Sequence, residues 1–138
     1  MLPPAPGVRP PGREGLAHLV EHLVFRGRDD KDVPFMGRLW QMGASWNAST
    51  TFDETTFYAF LPGQNLRELV QRMSDRLTDP LRRIDDATFL TERDVVRNEL
   101  RERNETHAVG AAFQAAFHAA FPADHPYARP AGGTQQTL

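Results

Sequence analysis

The sequence predicts an α+β domain, with helices packed on a β-hairpin that belongs to a larger, here incomplete, antiparallel sheet. Three observations predict it. Five segments carry apolar residues at the helical period. One segment, residues 44–61, is instead rich in Thr, Phe, Trp and Tyr, the composition of paired strands. A lone two-stranded hairpin is marginal in water, so this one calls for strands that the chain does not supply.

Residues 1–12, MLPPAPGVRPPG, are rich in Pro and Gly and lack the apolar core of a signal peptide. They read as a disordered lead-in, and residues 13–138 as the domain. A first helix is expected from about Arg13 to Phe25, ending before Gly27. A second runs from about Val33 to Met42, with Asp32 as N-cap, Pro34 in the first turn and Gly43 as the stop. The stretches ASWNASTTF and ETTFYAFL form the hairpin, and Pro62–Gly63 closes it. Leu66, Leu69, Val70, Met73 and Leu77 make an apolar stripe on a helix from Asn65 to Leu77, which Asp79–Pro80 breaks. Asp85 or Asp86 caps a long helix from about Ala87 to Glu105. The last helix, Gly110 to Ala120, carries Phe113 and Phe117, with Phe121 next on the same stripe, as core residues. The tail FPADHPYARPAGGTQQTL is loop, with His125 as a loop-fixing residue and His118 a packing or surface residue.

Composition narrows the function classes. The 138 residues suit one domain or a piece of one, with 40% apolar and 25% charged residues and a net charge of −2. Nothing in that balance draws the chain to nucleic acid or an anionic membrane. Arginine supplies 15 of the 16 basic residues, but they are scattered, which reads as compositional bias and not a binding surface. With no cysteine, disulfides, thiolate catalysis and Cys-based zinc fingers are excluded, so any transition metal must be held by His, Asp or Glu. No apolar run is long enough to span a bilayer.

The stretch GLAHLVEHLVFRG, residues 15–27, sets His18 and His22 four apart with Glu21 between them. On a helical wheel they share one side, while Leu16, Leu19, Val20 and Leu23 share the other. Two imidazoles at this spacing reach a single ion, zinc suits them, and a carboxylate beside the ion can take a proton from water. A solvated polar face explains the same pattern. In FLTERDVVRNELRER, Glu92 and Glu99 both fall within the apolar stripe of their helix, near Phe89, Val95, Val96 and Leu100. A core-facing carboxylate is costly unless it is paired or bound to a cation. Either a metal or one of Arg97, Arg101 and Arg103 meets that need.

HLVEH resembles the inverted zinc motif His-x-x-Glu-His. Its context looks like the pitrilysin, or M16, metallopeptidases, which include insulin-degrading enzyme and the mitochondrial processing peptidase. The likeness implies a partial M16 (LuxS/MPP-like) domain. In that family a glutamate follows the second histidine with 76 residues between, and 76 residues separate His22 from Glu99 here. TERDVVRNE, NASTTFDETTFYAFLP and FPADHPYARPAGGT are similar to further family blocks, so the likeness runs from about Gly15 to Thr134, closest to the bacterial tandem-domain zinc proteases.

The resemblance implies one Zn2+ per chain on His18, His22 and Glu99, with Glu21 as general base and Glu92 supporting the site. It implies a peptide or unfolded protein substrate lying as an added strand along Trp46 to Ser49, in contact with Asn47, Ala48 and Ser49. The expected activity is zinc-dependent endopeptidase. The family's first strands and C-terminal part are not matched, and active members close a second, similar half over the site. The chain therefore reads as an incomplete M16 catalytic domain that needs further sequence or a partner half. The alternative is a non-catalytic M16-like subunit that binds peptide or a partner, or an inactive remnant. A chance pair of histidines in a helical protein does not account for the spacing. The bacterial periplasm and the cytoplasm both remain compatible with the composition.

Overall fold

A computed structural model of the chain describes residues 12–29, 31–103 and 108–138. The lead-in expected over residues 1–12 lies outside them except for Gly12, as do Glu105 and His107. The order of the main elements is α1 (Leu16–Arg26), α2 (Phe35–Gln41), β1 (Ser45–Thr50), β2 (Thr55–Phe60), α3 (Leu66–Thr78), α4 (Asp86–Arg101) and α5 (Ala108–Ala120).

Helix α1 starts at Leu16 and not at Arg13, because the chain before it packs tightly on the C-terminal tail. Gly133 has φ +81, and a Cβ there would sit 2.3 Å from the Cα of Gly15. Only glycines allow the two backbones this approach. Between α1 and α2, Asp29 organises the loop: its Oδ1 accepts from the N–H of Lys31 and of Val33, each at 2.9 Å. The expected N-cap Asp32 instead takes a left-handed turn, φ 61, and Pro34 occupies the cap position. The turn needs the short polar residue more than the helix does. Gly43, φ +68, ends α2 as the sequence implies.

The hairpin forms as expected. β1 and β2 are antiparallel, from Ser45 opposite Phe60 to Thr50 opposite Thr55, and the Thr51 N–H donates to the Glu54 carbonyl at 2.8 Å. Alternation turns Trp46, Ala48, Thr50, Thr55, Phe57 and Ala59 inward, and Ser45, Asn47, Ser49, Thr56, Tyr58 and Phe60 outward. At α4, Asp85 is the N-cap, accepting from the Thr88 N–H at 2.8 Å.

Two apolar clusters flank α1. Phe25, Phe35, Leu39, Met42 and Leu69 join the end of α1 to α2, α3 and the inner face of the hairpin. Phe25 is the hub, with ring centroids 4.5 Å from Trp46 and 5.5 Å from Phe57. Leu19 and Leu23 pack on Val96 and Leu100, joining α1 to α4. The stripe on α3 is mostly uncovered: Leu69 is buried, but Leu66, Val70 and Leu77 are exposed. The phenylalanines expected as core are not core either. Phe113 is exposed, and Phe117 and Phe121 are half-buried. They build an aromatic ladder on the tip of the hairpin and on the tail, with Phe52 stacked on Phe117 at 5.0 Å and Tyr127 at 5.4 Å from Phe121. The tail also behaves as expected of His125, whose Nδ1 accepts from the Tyr127 N–H.

Candidate metal centre

The helical period brings His18, Glu21 and His22 to one side of α1, as the sequence predicts. That side is not solvated. His18 is 5% exposed and Glu21 8%, and His22 is half-buried. With Leu19, Leu23, Val24 and Phe25 buried as well, α1 is enclosed on most of its circumference. Two histidines and a glutamate therefore lie in the interior, where each polar atom needs a partner.

Helix α4 supplies those partners. Glu99 Oε2 is 3.6 Å from His18 Nε2 and 3.3 Å from His22 Nε2. One donor atom from each of His18, His22 and Glu99 lies within 4.8 Å of the other two, a group that could hold a metal ion. The two imidazole rings meet edge to face, with centroids 5.0 Å apart. Glu92, 3% exposed, is outside this trio: its Oε2 is 3.5 Å from His22 Nδ1 and its Oε1 is 2.7 Å from Arg26 Nε. The arginine reading of the two glutamates is thus realised as well, but differently from expectation. Glu99 pairs with Arg103, four residues on, whereas Glu92 pairs across to α1.

Two neighbours escaped sequence reasoning. Arg26 stands four residues after His22, on the same side of α1, and that spacing was the available signal. Thr50 is an inward position of β1, and its Oγ1 donates to Glu21 Oε2 at 2.5 Å while lying 3.0 Å from Thr55 Oγ1. The hairpin thereby holds the Glu21 carboxylate.

The electrostatics separate the two histidines. Burial lowers the pKa of His18, against the pull of Glu99, and keeps the imidazole neutral with a lone pair to offer. The hydrogen bond to Glu99 raises the pKa of His22 against the effect of its burial, and the same bond lowers that of Glu99. His18 Nδ1 is buried with no hydrogen-bond partner among the described residues. Two nitrogen donors, one of them held neutral, and one ionised carboxylate fit the chemistry of a zinc site with an open position.

The three residues expected to meet substrate are placed unequally. The bond from Thr51 to Glu54 sets the alternation of the hairpin, so Ser45, Asn47 and Ser49 turn their backbone groups to β2. Trp46, Ala48 and Thr50 turn theirs to the other edge, which pairs with no strand among the described residues. Ala48 thus offers backbone, Asn47 and Ser49 offer side chains on the outer face, and Asn47 Oδ1 accepts from the Ala48 N–H at 2.8 Å. Beside Thr50 a cleft of about 170 Å³ opens between Phe52, Phe113, Phe117, Arg103 and Gly132. A second recess, lined by Arg28, Arg72 and Arg76, shares no residue with the donor trio. No helix among the described residues is long and apolar enough to cross a membrane.

The family model described as insulinase, peptidase family M16, matches residues 9–135. An uncharacterized zinc protease of Mycobacterium leprae is 30% identical over 127 residues, which are 90% of this chain and 27% of that protein. A probable mitochondrial-processing peptidase subunit beta of Arabidopsis thaliana is 29% identical, over 64% of this chain and 16% of its own. Among solved structures, a protease from Helicobacter pylori superposes with a TM-score of 0.82 at 27% identity, over 96% of this chain and 32% of the other. Pitrilysin superposes with a TM-score of 0.74 at 29% identity, over 96% of this chain and 14% of its own. The chain spans about a quarter of the mycobacterial relative and less of the plant one. Fold and likeness together place it among the M16-type domains of these relatives. The chain belongs to peptidase family M16.

Proposed function

We propose that the chain is the catalytic part of a zinc-dependent endopeptidase, with one Zn2+ on His18, His22 and Glu99. The observation that carries this reading is the convergence of those three donors within 4.8 Å, beside the buried carboxylate of Glu21. Bound zinc supplies Lewis acidity, polarising a peptide carbonyl and making water a nucleophile near neutral pH. Glu21, steadied by Thr50, takes the proton from the attacking water and passes it to the leaving amine. Glu92 stays out of the trio and orients His22. The substrate adds as a strand to the free edge of β1, bonding to the backbone of Trp46 and Ala48, with Asn47 and Ser49 at its flank. Such pairing tolerates many sequences, as suits peptide or unfolded protein.

A second M16-like half belongs to the same reading. Among the described residues no further strand pairs with either edge of the hairpin, and Tyr58 and Phe60 are exposed on its outer face. A partner covering that face would take its apolar side chains out of water.

The test is zinc per chain in the folded, monodisperse protein, beside a Glu99→Ala control, followed by peptide cleavage beside Glu21→Gln. One zinc, lost in Glu99→Ala, and cleavage abolished by Glu21→Gln are expected. A folded chain without zinc would sink the ligand assignment. Peptide binding with no cleavage in either form, even with a partner half supplied, would favour the non-catalytic subunit.

A further inference from the structure

We infer that Arg26 is a positioning residue for the metal centre: it fixes the buried carboxylate of Glu92, which in turn fixes the ring of His22. The inference rests on the reading of His22 as a ligand. The two oxygens of Glu92 are divided. Oε1 is 2.7 Å from Arg26 Nε, and Oε2 is 3.5 Å from His22 Nδ1. The other nitrogen of the ring, Nε2, faces Glu99 at 3.3 Å.

A neutral imidazole has one N–H and one lone pair, and a carboxylate only accepts. Both ring nitrogens of His22 face a carboxylate, so the ligand reading decides between them: with the Nε2 lone pair given to the ion, the proton belongs on Nδ1, toward Glu92. The Glu92 contact to His22 is long and does not by itself hold a carboxylate whose side chain is 4% exposed. The short, charge-assisted contact to Arg26 does. Arg26 reaches in from the surface, its side chain 44% exposed, and its cationic guanidinium anchors that oxygen of the buried carboxylate. Arg26 and His22 are one helical turn apart, so α1 carries both the ligand and the group that aims it.

The experiment measures zinc affinity of the full chain by competition with a chromogenic chelator, with far-UV circular dichroism as the fold control. Arg26→Gln is expected to weaken zinc about tenfold with the fold intact, as loss of an outer-shell partner does. Arg26→Lys is expected to recover most of that loss. In a Glu92→Gln background, Arg26→Gln is expected to change the affinity by less than about twofold, because Arg26 acts through Glu92. A long-range 1H–15N correlation on the zinc-loaded wild-type chain is expected to show the His22 proton on Nδ1. Unchanged affinity in Arg26→Gln, or an equal loss with and without Glu92, would overturn the inference. If Arg26→Gln does not fold, the wild-type spectrum decides, and a proton on Nε2 overturns it. A folded wild-type chain that binds no zinc overturns the ligand reading and this inference together, before any Arg26 variant is compared.

Discussion

Thr50 shows what one hydroxyl contributes. It bridges the hairpin to one oxygen of Glu21, Oε2, at 2.5 Å, and in the proposed mechanism the other oxygen is the one to work on water. Thr50→Val keeps the shape and removes the donor, so peptide cleavage is expected to fall roughly tenfold or more while zinc content stays at the wild-type level. Retained turnover would show that Glu21 is held by α1 alone. The two histidines predict the acid behaviour. Glu99 raises the pKa of His22 and burial lowers that of His18, so the first proton to compete with a cation lands on His22. Zinc occupancy at fixed, sub-saturating zinc is expected to fall as the pH is lowered. Occupancy that does not change with pH through the imidazole range would contradict it. His18, Glu21 and His22 were legible because a four-residue interval on an amphipathic helix has one geometry. The Arg26–Glu92 pair was not, because it joins two helices far apart in sequence, and periodicity within one helix says nothing of its neighbour.

At the scale of elements, Leu39 on α2 is 1% exposed in the aromatic cluster under the hairpin. Leu39→Ala is expected to cost roughly 2–5 kcal/mol, read from urea unfolding, because the cavity cannot close around rings as rigid as Phe25 and Trp46. The loop before α2 depends on Asp29, whose pKa is lowered first by the Val33 N–H and then by Arg72. A carboxylate depressed in the folded state stabilises above its unfolded pKa, and that contribution is lost as the pH falls through the folded value. Asp29→Asn is therefore expected to lower the urea midpoint at neutral pH, with the gap to wild type closing as the pH falls through and below the ordinary carboxylate range. A gap that persists in acid would assign the effect to geometry and not charge. The hairpin was legible from composition, and α4 from Asp85 and its period. The cap of α2 was not, because Asp32 and Pro34 compete for the same short segment and the left-handed turn at Asp32 decides the outcome. Nor was the fate of the stripes on α3 and α5, since a helical period reveals an apolar face but not what covers it.

For the whole molecule, the exposed residues matter as much as the core. Trp40, Phe60, Val70, Leu77 and Phe113 leave apolar surface on several sides. The isolated chain is expected to bind 8-anilinonaphthalene sulfonate and to self-associate with concentration in analytical ultracentrifugation, and a Tyr58→Thr/Phe60→Thr pair to reduce the association. A sharp monomer at every concentration would argue against an uncovered hairpin face. The fold class was legible as a whole because hairpin and helices are local features; how much sheet surrounds them is a long-range matter. Enclosure of α1 has a further, kinetic consequence. One flank of this helix is locked to Val96 and Leu100 and the other to the hairpin, so it cannot swing away without opening both clusters. Its amides should be among the slowest to exchange with solvent. If the proposed ion sits there, movement of the backbone would not release it; release would need the partly exposed His22 and Glu99 to rotate outward, ahead of buried His18. The lifetime of the ion would then follow two side-chain rotamers and not the stability of the fold.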